Sequence, residues 1–129
     1  MRVLLDTNAF IWMHSDPDRL GVHRELLERR DTVRLASAVV VWEIVIKHGL
    51  GRLDLPAPPA KWIPDKVAAG AMTPVAIELS HSLGVAALPL HHRDPLDRLL
   101  ISQARAIGAH LLTADTAVSA YDVPVLLIE

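Results

Sequence analysis

Asp6, Glu43, Asp97 and Asp115 are the residues of this sequence whose type and spacing suit chemistry rather than solvation. Asp6 follows the apolar run Val3-Leu4-Leu5, a short buried first strand, and Asp115 lies just past the end of a short strand at His110-Leu111-Leu112-Thr113-Ala114. Both acids therefore fall at the carboxyl ends of strands, where open α/β sheets bind ligands. Asp97 lies in the first turn of a helix predicted from Pro95 to about Ile107, with Asp94 as N-cap, Pro95 as first helical residue and Gly108 as the stop. Glu43 lies among Val39, Val40, Trp42, Ile44 and Ile46 on a helix expected over 38–48 and capped by Ser37.

Each acid has a plainer use on its own. Asp6 and Asp115 suit N-caps, Asp97 a reciprocal capping acid or a partner of the helix dipole, and Glu43 an i,i+4 pair with Lys47. A parallel sheet that brought all four to one crevice would change the balance. Carboxylates so close repel, and some stay protonated unless a cation neutralises them. With no cysteine in the chain the ligand set is oxygen-rich, which favours Mg²⁺ or Mn²⁺. Such an ion can activate water and orient a phosphate diester for in-line displacement.

The elements that must position these acids follow from periodicity and punctuation. A chain of 129 residues, 51% hydrophobic but only 4% aromatic, builds its core from Leu, Val, Ala and Ile, as parallel strands covered by helices do. The expected class is α/β, with a mainly parallel central sheet in one domain over 1–129. After the first strand come a loop at Ser15-Asp16-Pro17-Asp18, a helix over 22–30 and a strand over 32–36. Gly49 and Gly51 are expected to end the Glu43 helix. Pro56, Pro58 and Pro59 stiffen the link to a helix over 61–71, followed by a short strand at Thr73-Pro74-Val75, a helix through Ile77, Leu79 and Leu83, and a last strand over 125–128. The opening apolar run is far too short for a signal peptide or a membrane span, so a cytoplasmic location is expected. A formal charge of −2 neither advertises nor excludes a nucleic-acid partner.

Four ordered segments carry a family resemblance: Leu4-Leu5-Asp6-Thr7-Asn8; Ser37 with Trp42-Glu43-Ile44 and Lys47; Asp94-Pro95-Leu96-Asp97-Arg98-Leu99-Leu100-Ile101; and Leu112-Thr113-Ala114-Asp115. They resemble the PIN-domain ribonucleases and, more closely, the VapC toxins of toxin-antitoxin pairs. The resemblance implies a three-layer α/β/α fold, a Mg²⁺- or Mn²⁺-dependent endoribonuclease, a homodimer and neutralisation by an antitoxin. Carried over by position, the family's acidic set falls on Asp6, Glu43, Asp97 and Asp115, with Asp6 and Asp97 as direct metal ligands and Asp94 as a competitor. Many relatives carry His where this chain has Asn8. Thr7, Thr113 and Ser37 are candidates to hold carboxylates or waters, and His48, Arg52, His91, His92, Arg93 and Arg98 to meet RNA phosphates. Trp12, Trp42 and Trp62 suit base stacking, a partner's groove or core packing. The adjacent pair His91 and His92 is not expected to ligate one ion.

Two other readings compete. A haloacid-dehalogenase-like phosphatase or a receiver domain also places acids at strand ends, but the first wants a second Asp where Asn8 stands and the second wants paired acids after the first strand. A non-catalytic binding module would use the same acids merely as helix caps.

Overall fold

The computed structural model describes residues 1–129. Five parallel strands, β1 (Arg2–Leu5), β2 (Val33–Ser37), β3 (Thr73–Val75), β4 (His110–Thr113) and β5 (Val125–Leu127), form one sheet in the order β3-β2-β1-β4-β5. β1 is central, and its Val3, Leu4 and Leu5 are almost wholly buried, as are Leu111 and Leu112 of β4. Apolar runs without alternation are what strands buried on both faces require. The register sets Leu4 beside Leu35 of β2 and beside Leu111 of β4.

The helices that layer onto the sheet are α1 (Thr7–Ser15), α2 (His23–Glu28), α3 (Ala38–Gly49), α4 (Pro59–Ala69), α5 (Leu79–Gly84) and α6 (Pro95–Ile107). The result is the three-layer α/β/α arrangement expected from the sequence. From β1 the chain first builds outward through β2 and β3, then returns to add β4 and β5 on the other side. This reversal opens a crevice between the carboxyl ends of β1 and β4, the usual ligand position in such sheets. Asp6 and Asp115, the first residues past Leu5 and Ala114, flank it.

Local chemistry fixes the helix starts at this edge. The Asp6 carboxylate accepts from the Ala9 N–H at 2.8 Å, Ser37 Oγ from Val39 at 3.0 Å, and Asp94 Oδ1 from Leu96 at 2.9 Å and Asp97 at 3.4 Å. Each of these caps contributes about 0.5–2 kcal/mol. Leu100, Ile101 and Ala104 bury the inner face of α6, and Gly108, at φ 67°, closes it in a left-handed conformation that costs glycine little.

Several boundaries differ from the sequence reading. Gly49 is still helical in α3, and the terminating turn falls at Leu50 and Gly51. The helix expected from residue 61 begins at Pro59, where proline's missing N–H is harmless, and it accommodates Pro64 inside. Ile77 precedes α5 rather than joining it. Pro17–Leu20 and Thr116–Ala120 are short 3₁₀ turns; Asp115 caps the second through the Ala117 N–H at 2.9 Å.

Candidate metal centre

Five carboxylates line a pocket of about 210 Å³ at the carboxyl edge of the sheet: Asp6, Glu43, Asp94, Asp97 and Asp115. Asp6 arrives on the end of β1, Asp115 just past β4, Glu43 from the buried side of α3, and Asp94 and Asp97 from the start of α6. Lys47 is the cation in the lining; its Nζ lies 3.0 Å from Glu43 Oε2. A larger hollow of about 500 Å³ lies between α3 and α4, but apolar side chains and prolines dominate its lining and it gathers no acids.

The carboxylates fall into overlapping groups. Potential ligand atoms of Glu43, Asp94 and Asp97 all lie within 4.8 Å of one another, as do those of His92, Asp97 and Asp115, so Asp97 belongs to both. Crowding shows in the proton affinities. Burial, with the neighbouring Asp94 charge next in weight, pushes the Asp97 carboxyl up to about 6, against the pull of His92. Burial also raises Asp6, helped by the charges of Glu43 and Asp115, while the Thr113 hydroxyl and the Ala9 N–H oppose the rise. A divalent cation would neutralise such a set. The donors are carboxylate oxygens with one imidazole, which fits Mg²⁺ or Mn²⁺ and gives no reason to invoke a thiophilic metal.

Asp94 caps α6 and lines the pocket, so its two candidate uses are not exclusive. Asp97 is not a reciprocal capping acid; its carboxylate faces the pocket and His92 instead. Glu43 is buried and paired with Lys47 at once. Thr113 Oγ1 accepts the Asp115 N–H at 3.0 Å, and the same hydroxyl tempers the rise in Asp6. Asn8 lines the pocket from an exposed position.

One residue beside the pocket has a different role from the one the sequence suggests. His92, treated as an RNA-facing candidate, turns inward, with Nε2 2.7 Å from Asp115 Oδ2 and 3.1 Å from Asp97 Oδ2. Its Nδ1 accepts the Asp94 N–H at 3.1 Å, which assigns the ring hydrogen to Nε2 as donor to the acids. The Tyr121 hydroxyl makes this possible by accepting the N–H groups of His91 and His92 at 3.0 and 2.7 Å. His91 does not enter; its ring packs edge-on against Tyr121. Arg98 is a correction. Its guanidinium donates to the carbonyls of Val85, Leu88 and Pro89, so it braces the loop rather than facing a phosphate. Trp62 is core, edge-on to Phe10, whereas Trp42 is half exposed.

Sheet order and acid pocket together define a parallel α/β domain with a carboxylate cluster at its topological switch point. The PIN domain model matches residues 3–124, and the chain belongs to that family. Among curated relatives, Ribonuclease VapC16 of Mycobacterium tuberculosis is 35% identical over 48 residues, a stretch covering 37% of this chain and 34% of that protein. The chain thus matches about a third of that relative's length. Among solved structures, VapBC2 of Rickettsia felis, bound to a DNA fragment from its promoter, superposes with a TM-score of 0.76 at 16% identity, covering 100% of both chains. VapBC-1 of nontypeable Haemophilus influenzae gives 0.68 at 14%, covering 98% of each chain, and FitAcB of Neisseria gonorrhoeae 0.61 at 21%, covering 96% of each. At these identities the likeness is one of fold.

Proposed function

We propose that this chain is a divalent-metal-dependent endoribonuclease, the toxin of a VapC-type toxin-antitoxin pair, acting as one domain over 1–129 in the cytoplasm. The observation that carries the reading is the convergence of five carboxylates on one pocket. The partial likeness to a ribonuclease and the fold shared with the VapBC and FitAcB chains support it. No helix is long and apolar enough to cross a membrane, which agrees with the location.

Asp6, Glu43, Asp97 and Asp115 would hold Mg²⁺ or Mn²⁺, with Asp94 adjacent. A bound cation of this kind supplies an activated water and charge stabilisation for in-line displacement at phosphorus. The residues do the rest. Asp6 and Asp97 must be ionised to serve, so both give up the protons that burial, and after it the neighbouring acids, encourage them to keep. Lys47 holds Glu43 and presents the pocket's positive charge to a phosphodiester oxygen. His92 holds Asp97 and Asp115 in place through Nε2. Exposed apolar side chains, Leu79 and Leu83 on α5 and Trp42 on α3, support a homodimer and an antitoxin as partners.

The experiment is cleavage of a mixed RNA pool by the purified protein with Mg²⁺ or Mn²⁺, beside EDTA and the Asp97→Asn variant. Cleavage abolished by both controls is the expected result. A specific observation favours the binding-module alternative: Asp6, Asp94 and Asp115 are all N-caps. Absence of cleavage together with absence of metal binding by calorimetry would select that reading instead.

A further inference from the structure

A second hollow, of about 400 Å³, adjoins the acid pocket and shares Ala114 with it as a common wall. Its lining includes Trp12, Asp18, Arg19 and Glu129. The Arg19 guanidinium lies 4.1 Å from the centroid of the Trp12 ring, a cation–π stack between the end of α1 and the 3₁₀ turn at Pro17–Leu20. Arg24, Arg29 and Arg34 each spend their guanidinium on a carboxylate or carbonyl, and Asp18 in this hollow is taken by Arg24. Arg19 differs: it is exposed, and its contact is the indole face alone. A guanidinium set over an aromatic ring, with no carboxylate or carbonyl partner of its own, keeps its N–H donors for a ligand.

We infer that Trp12 and Arg19 form the seat for a nucleobase of single-stranded RNA flanking the scissile phosphodiester, a subsite beside the acid pocket. The inference rests on the ribonuclease reading and adds where the substrate's neighbouring nucleotide sits. Three features select a base over a phosphate. The stacked planar pair offers a π-type platform, on which any base can lie. The carboxylate of Glu129 in the lining repels phosphate but accepts hydrogen bonds from a base's amino or imino edge. Ala114 is the residue before Asp115, so a nucleotide on the platform is continuous with one whose phosphate lies at the acids.

The test uses the intact protein and a short fluorescent single-stranded RNA of mixed sequence carrying 4-thiouridine. Affinity is read by anisotropy in EDTA, contact by photocrosslinking and peptide mapping, and cleavage by steady-state kinetics with Mn²⁺. Arg19→Ala and Trp12→Leu are expected to weaken RNA affinity roughly tenfold to a hundredfold, with the loss appearing in KM rather than kcat. The crosslink is expected on the peptide containing Trp12. Unchanged affinity and KM in both variants, or a crosslink elsewhere, overturns the subsite while cleavage by the wild type leaves the ribonuclease reading intact. A wild type that neither binds nor cuts RNA removes both. Arg19→Ala decides the matter alone if Trp12→Leu melts early, because Arg19 is a surface residue. Loss of antitoxin binding with RNA affinity unchanged would assign the platform to a protein partner and overturn the proposal.

Discussion

Two polar clusters lie within this small fold, and they are built on opposite terms. In the core, Ser37, His81, Ser102 and Gln103 are buried. There Ser37 donates to Gln103 Oε1, Gln103 Nε2 donates to the Ala76 carbonyl at 3.1 Å and to His81 Nδ1 at 3.3 Å, and Ser102 donates to the His81 carbonyl at 2.6 Å. Neutral donors meet neutral acceptors, and the cluster ties the end of β2 to α5 and α6. At the carboxyl edge, five acids face one lysine and one histidine. The first cluster completes itself, whereas the second carries an excess of charge that only a group from outside can balance. Buried polarity that is internally matched serves the fold; polarity left unmatched at a sheet edge marks a site.

The contrast breaks most sharply at Asp6 and Asp97. Replacing either by Asn is expected to lower RNA cleavage by at least about 100-fold, because even partners behind metal ligands are worth 10–100-fold. Folding should survive, since Asn caps α1 as well as Asp does. Circular dichroism beside the cleavage assay separates the two effects. Gln103→Leu should do the reverse. Stranding Ser37, the Ala76 carbonyl and His81 is expected to cost about 2–4 kcal/mol in chemical denaturation, with metal affinity unmoved.

A pH series sharpens the comparison further. The folded Asp97 carboxyl, raised by burial to about 6 from 3.8, binds a proton more tightly than in the unfolded chain. Its contribution to stability is therefore fully present below the unfolded value and fades as pH climbs through the folded one. Metal-free protein should thus lose on the order of 1 kcal/mol over that window after allowance for solvent screening. Subtracting the Asp97→Asn curve isolates this loss, and saturating Mg²⁺ or Mn²⁺ should reverse it by binding the folded state alone. Smallest of all is the exposed Arg24–Glu28 pair on α2: Glu28→Gln is expected to leave the melting midpoint essentially unchanged in a thermal scan, because solvent screens the pair.

Much of the site is legible in the sequence because strand ends and helix starts are local events. Asp6 after a three-residue apolar run, Asp94-Pro95 before an amphipathic helix, and Thr113 two residues before Asp115 each announce their position within a few neighbours. His92 could not be placed that way. Which of two adjacent histidines turns inward depends on the Tyr121 hydroxyl, about thirty residues downstream, and on carbonyls that draw Arg98 away from solvent. The Trp12–Arg19 stack is likewise set by how the chain bends after Ser15, where the loop signal gave the bend but not its direction. The strand order, too, lies in long-range pairing, which periodicity does not encode.

The edge strand β3 has a further consequence. It is three residues long with Pro74 at its centre, paired to Ala36 of β2. A proline ring there withholds an amide hydrogen and restricts the backbone, so a neighbouring molecule finds a poor template for adding a strand of its own. Sheet growth from copy to copy is disfavoured on that flank, which guards a chain so rich in aliphatic strands against seeding ordered aggregates.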